Sequence, residues 1–154
     1  LNTTVLSNFA YIDRLWVLQG SLESRGSIVC EELEHGVDNN PYLQSALDFF
    51  EDEIPFARIS DTVANREAVV SSHFDPGEAQ AFAVVDAHDG RLLTNDGMPV
   101  VYENQGVTVV GSVGVLLADI GTGKIDEATA DKWLSTWTNE FCYYVPYRKI
   151  PEYR

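Results

Sequence analysis

Short apolar segments with strand character alternate along this chain with longer segments in which apolar residues recur at helical spacing. Strands are predicted at 1–6, 55–59, 91–94 and 107–110. Helices are predicted at 7–18, 27–36, 40–50, 61–71, 76–88, 99–104 and 112–120, and from Asp126 past Trp137. Strands that alternate with helices form a mostly parallel sheet flanked by helices, so the sequence predicts an α/β fold. Such sheets carry their sites at the C-terminal ends of the strands.

Several of these helices have clear boundary signals. The strongest is Asp75-Pro76-Gly77-Glu78, which places Asp at the cap, Pro at the first helical position and Glu at the third, as in a capping box. Asp126 is a second predicted N-cap. Gly20 is expected to end the first helix.

The 154 residues, 45% of them hydrophobic, are enough for one ordinary core, so a single domain is expected. We assign 1–140 to this domain and 141–154 to a C-terminal tail that packs on it. No apolar run approaches the roughly 18 residues of a membrane span, and the two cysteines, Cys30 and Cys142, have no metal or redox spacing. A cytoplasmic protein without membrane association is predicted, with a few residues expected upstream of Leu1.

The charge is strongly acidic. Ten Lys and Arg residues against 24 Asp and Glu residues give a net charge of −14, which excludes a broad basic surface for nucleic acid. Only three of the ten basic residues are Lys. Scarce Lys with abundant carboxylates is typical of proteins adapted to high salt, so a halophilic origin is a hypothesis.

A few acidic residues lie where elements begin or end. Asp96 follows a predicted strand, Glu78 lies at a helix start, and Glu32 lies on a short helix with two other glutamates. Each has an ordinary structural explanation, respectively a turn, a capping box and a solvated face. Three carboxylates brought together would bind Mg²⁺ or Mn²⁺ and ionise water for attack on a phosphodiester.

Other motifs carry no comparable signal. Gly123-Lys124 resembles the end of a phosphate-binding loop, but Ala118 stands where its first glycine belongs and Ile125 replaces Ser or Thr, so a plain loop is predicted. The three histidines have no metal-ligand spacing to one another.

The order of motifs resembles that of a PIN domain, the α/β nuclease fold of VapC-type toxins and related RNA-cleaving proteins. The stretches that match the family are Asn2-Thr3-Thr4 with the apolar residues after it, Glu32-Leu33, Glu78-Ala79 and Thr94-Asn95-Asp96. A Gly-x-x-Gly-x-Leu stretch at 111–116, followed by Gly123-Lys124-Ile125, is similar to an uncharacterised PIN-like subgroup.

The resemblance implies a metal-dependent endoribonuclease with Mg²⁺ or Mn²⁺ as cofactor. Its catalytic residues and metal ligands would be Asn2, Glu32, Glu78 and Asp96, with Thr4 and Thr94 as supporting polar groups. The implied partners are an RNA substrate, a small antitoxin protein and a second copy of the chain. RNA would need local basic residues on so acidic a protein, and Arg14, Arg25, Arg58 or Arg91 are the candidates to rim the cleft.

One position departs from the family pattern, because Asn2 stands where the family has its first aspartate. An amide lacks the negative charge and cannot accept a proton, so metal affinity and hydrolysis should both fall. Asn2 is either a substitution that silences a nuclease or the natural residue of a weakly active or inactive one. The alternative function is a non-catalytic PIN-like scaffold, with the tyrosines of the tail, Tyr143, Tyr144, Tyr147 and Tyr153, as a partner surface.

Overall fold

A computed structural model describes residues 1–22, 40, 42–44, 46, 61–70, 74–95 and 105–153 of the chain. Within these residues, helices surround a short parallel sheet, which makes the fold a mixed α/β one. The elements in chain order are α1 (Thr3–Tyr11), α2 (Leu15–Leu22), α3 (Asp61–Val70), α4 (Pro76–His88), β1 (Arg91–Leu93), β2 (Thr108–Val110), α5 (Ser112–Gly121), α6 (Glu127–Glu140) and a 3₁₀ helix (Ile150–Tyr153).

Strands β1 and β2 are parallel neighbours, with Leu92 opposite Val109. One backbone hydrogen bond extends the pairing past β1, since Thr94 N–H donates to Val110 O at 3.1 Å. A second joins the N-terminus of the chain to β1, since Asn2 N–H donates to Leu93 O at 2.8 Å. The predicted parallel arrangement is therefore confirmed for the two strands that the structure describes. The bond from Asn2 also places the start of α1 beside the C-terminal end of β1.

Two sequence predictions near the N-terminus are wrong. The predicted strand over 1–6 is helical from Thr3 onward, because Asn2 caps α1. The predicted single helix over 7–18 is interrupted between α1 and α2, where Asp13 has a φ of 55°. Asp13 N–H donates to Ala10 O at 3.0 Å and Arg14 N–H to Phe9 O at 2.9 Å, which is the Schellman pattern of a helix end. Helix α2 then continues through Gly20, which was expected to end it.

The two predicted helix N-termini are confirmed. Helix α4 begins at Pro76 with the predicted capping box, in which Asp75 N–H donates to Glu78 Oε2 at 3.4 Å. Helix α6 begins after Asp126, whose Oδ1 accepts the Thr129 N–H at 2.7 Å. Helices α3 and α5 and both strands also lie where the periodicity predicted them. The predictions over 27–36, 55–59 and 99–104, and most of 40–50, lie outside the described residues.

The core has two clusters of buried side chains. The larger joins α1, α2, α5 and α6, and in it Phe9 lies edge-on to Trp137 with ring centroids 5.1 Å apart. The smaller cluster lies between α4 and the sheet and includes Phe82, Leu92 and Val107. Together they fix α1 and α5 relative to the ends of the strands. None of the helices in the described ranges has the length and apolar character needed to span a membrane.

The segment after α6 returns to the body of the molecule. Val145 and Ile150 are buried in the larger core cluster, and Ile150 N–H donates to Asp131 Oδ1 at 2.6 Å. The residues between them are exposed, and among these Tyr147 is 47% accessible to solvent. Tyr144, just before Val145, is 87% accessible. This C-terminal segment is therefore anchored by apolar side chains while two of its tyrosines face outward.

Candidate functional site

The N-terminus of α1 is held by the side chain of Asn2. Its Oδ1 accepts two hydrogen bonds from Thr4, one from the backbone N–H and one from the Oγ1 hydroxyl, each at 2.7 Å. An amide or carboxylate at the N-cap commonly binds an N–H two or three residues later, so this is an ordinary helix cap with one additional donor. Asn2 is buried, with 2% of its surface exposed.

Asn95, just beyond β1, connects this cap to the rest of the molecule. Its backbone N–H donates to Thr4 Oγ1 at 3.0 Å, so the Thr4 hydroxyl accepts from Asn95 while it donates to Asn2. The Asn95 side-chain NH₂ donates to Thr4 O at 3.0 Å and to Ser112 Oγ at 2.9 Å. Its Oδ1 accepts the Ser112 N–H at 2.8 Å. The start of α1, the end of β1 and the start of α5 therefore meet at one amide group.

Helix α5 approaches Asn95 closely because its N-cap residue is Gly111. A Cβ atom at this position would lie 3.2 Å from Asn95 Oδ1, closer than most side chains tolerate. Ser112 is fully buried, and its hydroxyl also accepts a hydrogen bond from Asn8 Nδ2 at 3.2 Å. The Gly-Ser pair thus lets the N-terminus of α5 bind the polar side chain at the end of β1.

A tyrosine of the C-terminal segment completes the group. The Tyr143 hydroxyl donates to Asn95 Oδ1 at 2.8 Å, which gives this oxygen its second donor. We call Asn2, Thr4, Asn8, Asn95, Ser112 and Tyr143 the polar network. All its side chains are uncharged amides and hydroxyls.

The structure brings together part of the predicted site. Asn2 and Thr4 are hydrogen-bonded to each other. Leu93 accepts a hydrogen bond from Asn2, and Asn95 donates one to Thr4. Thr94, which is 2% exposed, lies between Leu93 and Asn95 in the chain. Glu78 lies in the first turn of α4, where its carboxylate binds the backbone N–H of Asp75. Glu32 and Asp96 lie outside the described residues. Asn95, Ser112 and Tyr143 were not predicted as site residues, and Tyr143 was assigned instead to a partner surface. No spacing rule connects residues so far apart.

The side-chain oxygen of Asn2 already accepts two hydrogen bonds. A carbonyl oxygen has two lone pairs, and both hydrogen bonds from Thr4 fall on this one atom. The remaining polar atom of the side chain is an NH₂ group, which is a donor and repels a cation. Among the described residues, there is also no group of three His, Cys, Asp or Glu side chains that could hold a metal ion.

Comparison with known proteins gives one match. A family model described as a PIN domain matches residues 1–147. No curated protein and no solved structure matches the chain. PIN domains are generally nucleases and typically use divalent metal ions. Because the match spans nearly all of the sequence and agrees with the α/β architecture, the chain belongs to the PIN-domain family.

Proposed function

We propose that this protein is a divalent-metal-dependent endoribonuclease of PIN type whose hydrolytic activity is held low by Asn2. The observation that carries the proposal is the pair of hydrogen bonds from Thr4 to Asn2 Oδ1. They show that the amide keeps the helix cap intact. The substitution therefore preserves the architecture of the site and removes only a charge and an oxygen.

An aspartate at position 2 would do what the amide cannot. One carboxylate oxygen could accept both bonds from Thr4, and the other would replace the NH₂ group with an anionic oxygen, the kind of ligand that Mg²⁺ and Mn²⁺ prefer. The negative charge would also lie at the N-terminus of α1, where the helix dipole stabilises anions. The Asn2→Asp change should consequently restore metal binding without disturbing the fold.

The remaining ligands in this proposal are Glu32, Glu78 and Asp96, with Thr4 and Thr94 as supporting groups. Mg²⁺ or Mn²⁺ would supply a Lewis acid that orients and ionises water for attack on an RNA phosphodiester. A protein of net charge −14 repels RNA, so a bound cation would also provide the local positive charge.

Two of the four arginines proposed to rim the cleft can be placed. Arg91 is the first residue of β1, so it lies at the far end of this strand from Thr94. It is therefore a poor candidate for contact with a phosphate at the site. Arg14 lies between α1 and α2, with its guanidinium 5.8 Å from the ring of Trp133. Arg14 stays a candidate for this role, together with Arg25 and Arg58, which lie outside the described residues.

The test compares the chain with its Asn2→Asp variant. With Mn²⁺ present, the variant should cleave RNA at least ~100-fold faster, because a restored metal ligand should contribute no less than the upper end of what its outer-shell partners contribute. Mn²⁺ should also raise the Tm of the variant more than that of the parent, since a ligand that binds the folded state stabilises it.

Two matched controls accompany this test. Asn139→Asp makes the same chemical change on the exposed side of α6, and Asn2→Ser keeps a capping side chain without a carboxylate. Neither should cleave RNA faster than the parent. If the Asn2→Asp variant neither cleaves RNA nor responds to Mn²⁺, the nuclease proposal fails.

A non-catalytic scaffold is the second candidate. The observation that favours it is the exposure of Tyr144 and Tyr147, at 87% and 47%, on a segment that is otherwise anchored in the core. Exposed tyrosines are common in protein–protein interfaces. An inactive Asn2→Asp variant would favour this function over the first.

A further inference from the structure

The side chain of Asn95 has every hydrogen-bonding position in use. Its two N–H groups bind Thr4 O and Ser112 Oγ, and its oxygen accepts from Ser112 N–H and the Tyr143 hydroxyl. Because the nitrogen faces two acceptors and the oxygen faces two donors, the orientation of the amide is defined. Any loss among these four bonds releases a constraint on Asn95.

The Tyr143 hydroxyl is placed by the core of the protein and not by Asn95 alone. Tyr143 N–H donates to Trp137 O at 2.9 Å, and the two rings are nearly perpendicular with centroids 6.0 Å apart. The preceding residue, Cys142, has a φ of 56°, which turns the chain at the end of α6. Trp137 is itself fully buried and donates through Nε1 to Asn8 O at 2.6 Å. The C-terminal segment therefore presents a donor at a fixed position.

The contacts lead from this donor to the cap of α1. Tyr143 holds the Asn95 side chain, the Asn95 backbone N–H holds the Thr4 hydroxyl, and that hydroxyl donates to Asn2 Oδ1. Asp96, a proposed metal ligand, is the next residue after Asn95 in the chain. Asn95 thus stands between two positions that the proposed reaction requires.

We propose that Tyr143 is a positioning residue of the site, which acts through Asn95 on residue 2 and on the Thr94–Asp96 segment. This inference rests on the proposed function, because a positioning role needs a reaction to support. The C-terminal segment is then part of the catalytic architecture and not only a cover for the core.

The variant Tyr143→Phe removes the hydroxyl and keeps the ring against Trp137. Its matched control is Tyr144→Phe, the same change one residue later on a side chain that is 87% exposed. In the Asn2→Asp background, Tyr143→Phe should lower kcat by about 10-fold with little change in KM, the lower end of what hydrogen-bond partners behind a metal ligand contribute. Tyr144→Phe should leave both constants unchanged.

A second measurement needs no activity. In the chain as it stands, Tyr143→Phe should speed amide hydrogen exchange at Asn95 and Thr4 by at least about 10-fold, while Tyr144→Phe leaves it unchanged. Equal exchange in the two variants would overturn the positioning role. Equal kcat values for Tyr143→Phe and Tyr144→Phe in the Asn2→Asp background, measured well below the Tm of both variants, would also overturn it.

The two readouts separate the two proposals. If Asn2→Asp with Tyr143 intact neither cleaves RNA nor responds to Mn²⁺, the proposed function fails, and the exchange experiment still decides whether Tyr143 restrains Asn95 and Thr4. If Asn2→Asp cleaves RNA and Tyr143→Phe changes neither readout, only the positioning role fails.

Discussion

The Asn95 side chain fixes the relative positions of segments that are far apart in sequence. It joins Thr4 of α1, Ser112 of α5 and Tyr143 of the C-terminal segment through four hydrogen bonds. Each such bond contributes about 1 kcal/mol net, but a buried donor or acceptor left without a partner costs about 1–3 kcal/mol. The cost of losing Asn95 is therefore determined mainly by the groups that remain around it.

Replacement of Asn95 by Leu, which has a similar size and no polar atoms, should lower the free energy of unfolding by about 2–4 kcal/mol. The Ser112 N–H and the Tyr143 hydroxyl would lose their acceptor, and Thr4 O would lose a donor. Urea denaturation followed by circular dichroism measures the change. Asn139→Leu on the exposed face of α6 is the matched control and should change stability by about 0.5 kcal/mol or less.

A loss for Asn95→Leu no larger than that for Asn139→Leu would show that the Asn95 bonds add nothing to stability. The site would then be held by the apolar packing of α1 and α5 alone.

At the scale of elements, local capping signals predicted the structure well. The capping box at Asp75 and the N-cap at Asp126 determine where α4 and α6 begin, because these side chains satisfy backbone N–H groups that the helix leaves open. The Gly-x-x-Gly-x-Leu stretch also has a physical basis. A Cβ on Gly114 would lie 2.8 Å from Val110 Cγ1, so this glycine lets α5 pack closely on β2.

In the misassigned elements the local signals were weaker, since Gly20 did not end its helix and Asn2 was not recognised as a cap. Apolar residues continue through Ile12, so periodicity does not show that Asp13 ends α1 with a left-handed backbone conformation. The segment 1–6 is apolar and β-branched, and its helical form depends on the Asn2 cap. In the site, too, local patterns predict single positions but not the contacts between distant residues. Thr94 is the last residue of a strand that patterning predicts, whereas the bond between Tyr143 and Asn95 joins residues 48 positions apart.

The cap of α6 gives a pH-dependent prediction. Hydrogen bonds from the Thr129 side chain and backbone N–H lower the pKa of Asp126 below its ordinary value of 3.8. A lowered pKa in the folded state means that the ionised carboxylate stabilises the fold above pH 3.8, and that this contribution is lost as the pH falls through the lowered pKa. Acidification should therefore weaken the α6 cap.

Urea denaturation at about pH 7 and about pH 2.5 measures this loss. Asp126→Asn keeps an oxygen acceptor at the cap and cannot titrate, so its stability relative to the parent should improve at the lower pH. Asp126→Ala has no cap at either pH and should be less stable than the parent at neutral pH. A constant difference between parent and Asp126→Asn would contradict the role of the carboxylate.

At the scale of the whole molecule, the charge of −14 determines how the protein responds to salt. Some acidic groups are paired, as in the 2.8 Å contact between Arg66 and Asp86, but ten basic residues cannot neutralise 24 acidic ones. The excess carboxylates repel one another in the compact state more than in the unfolded chain, where they are farther apart. Salt shortens the range of this repulsion from about 10 Å at 0.1 M to about 3 Å at 1 M.

If the surface is adapted to high salt, the Tm should rise steeply from about 0.05 M to about 2 M KCl, since screening relieves a repulsion that stays strong at low salt. The same titration near pH 4.3, the isoelectric point of the sequence, is the control, because there the net charge is close to zero and KCl has little repulsion to relieve. A Tm that stays flat at neutral pH would exclude the halophilic hypothesis. An equal rise at both pH values would assign the effect to KCl acting on apolar burial and not to screening of the carboxylates.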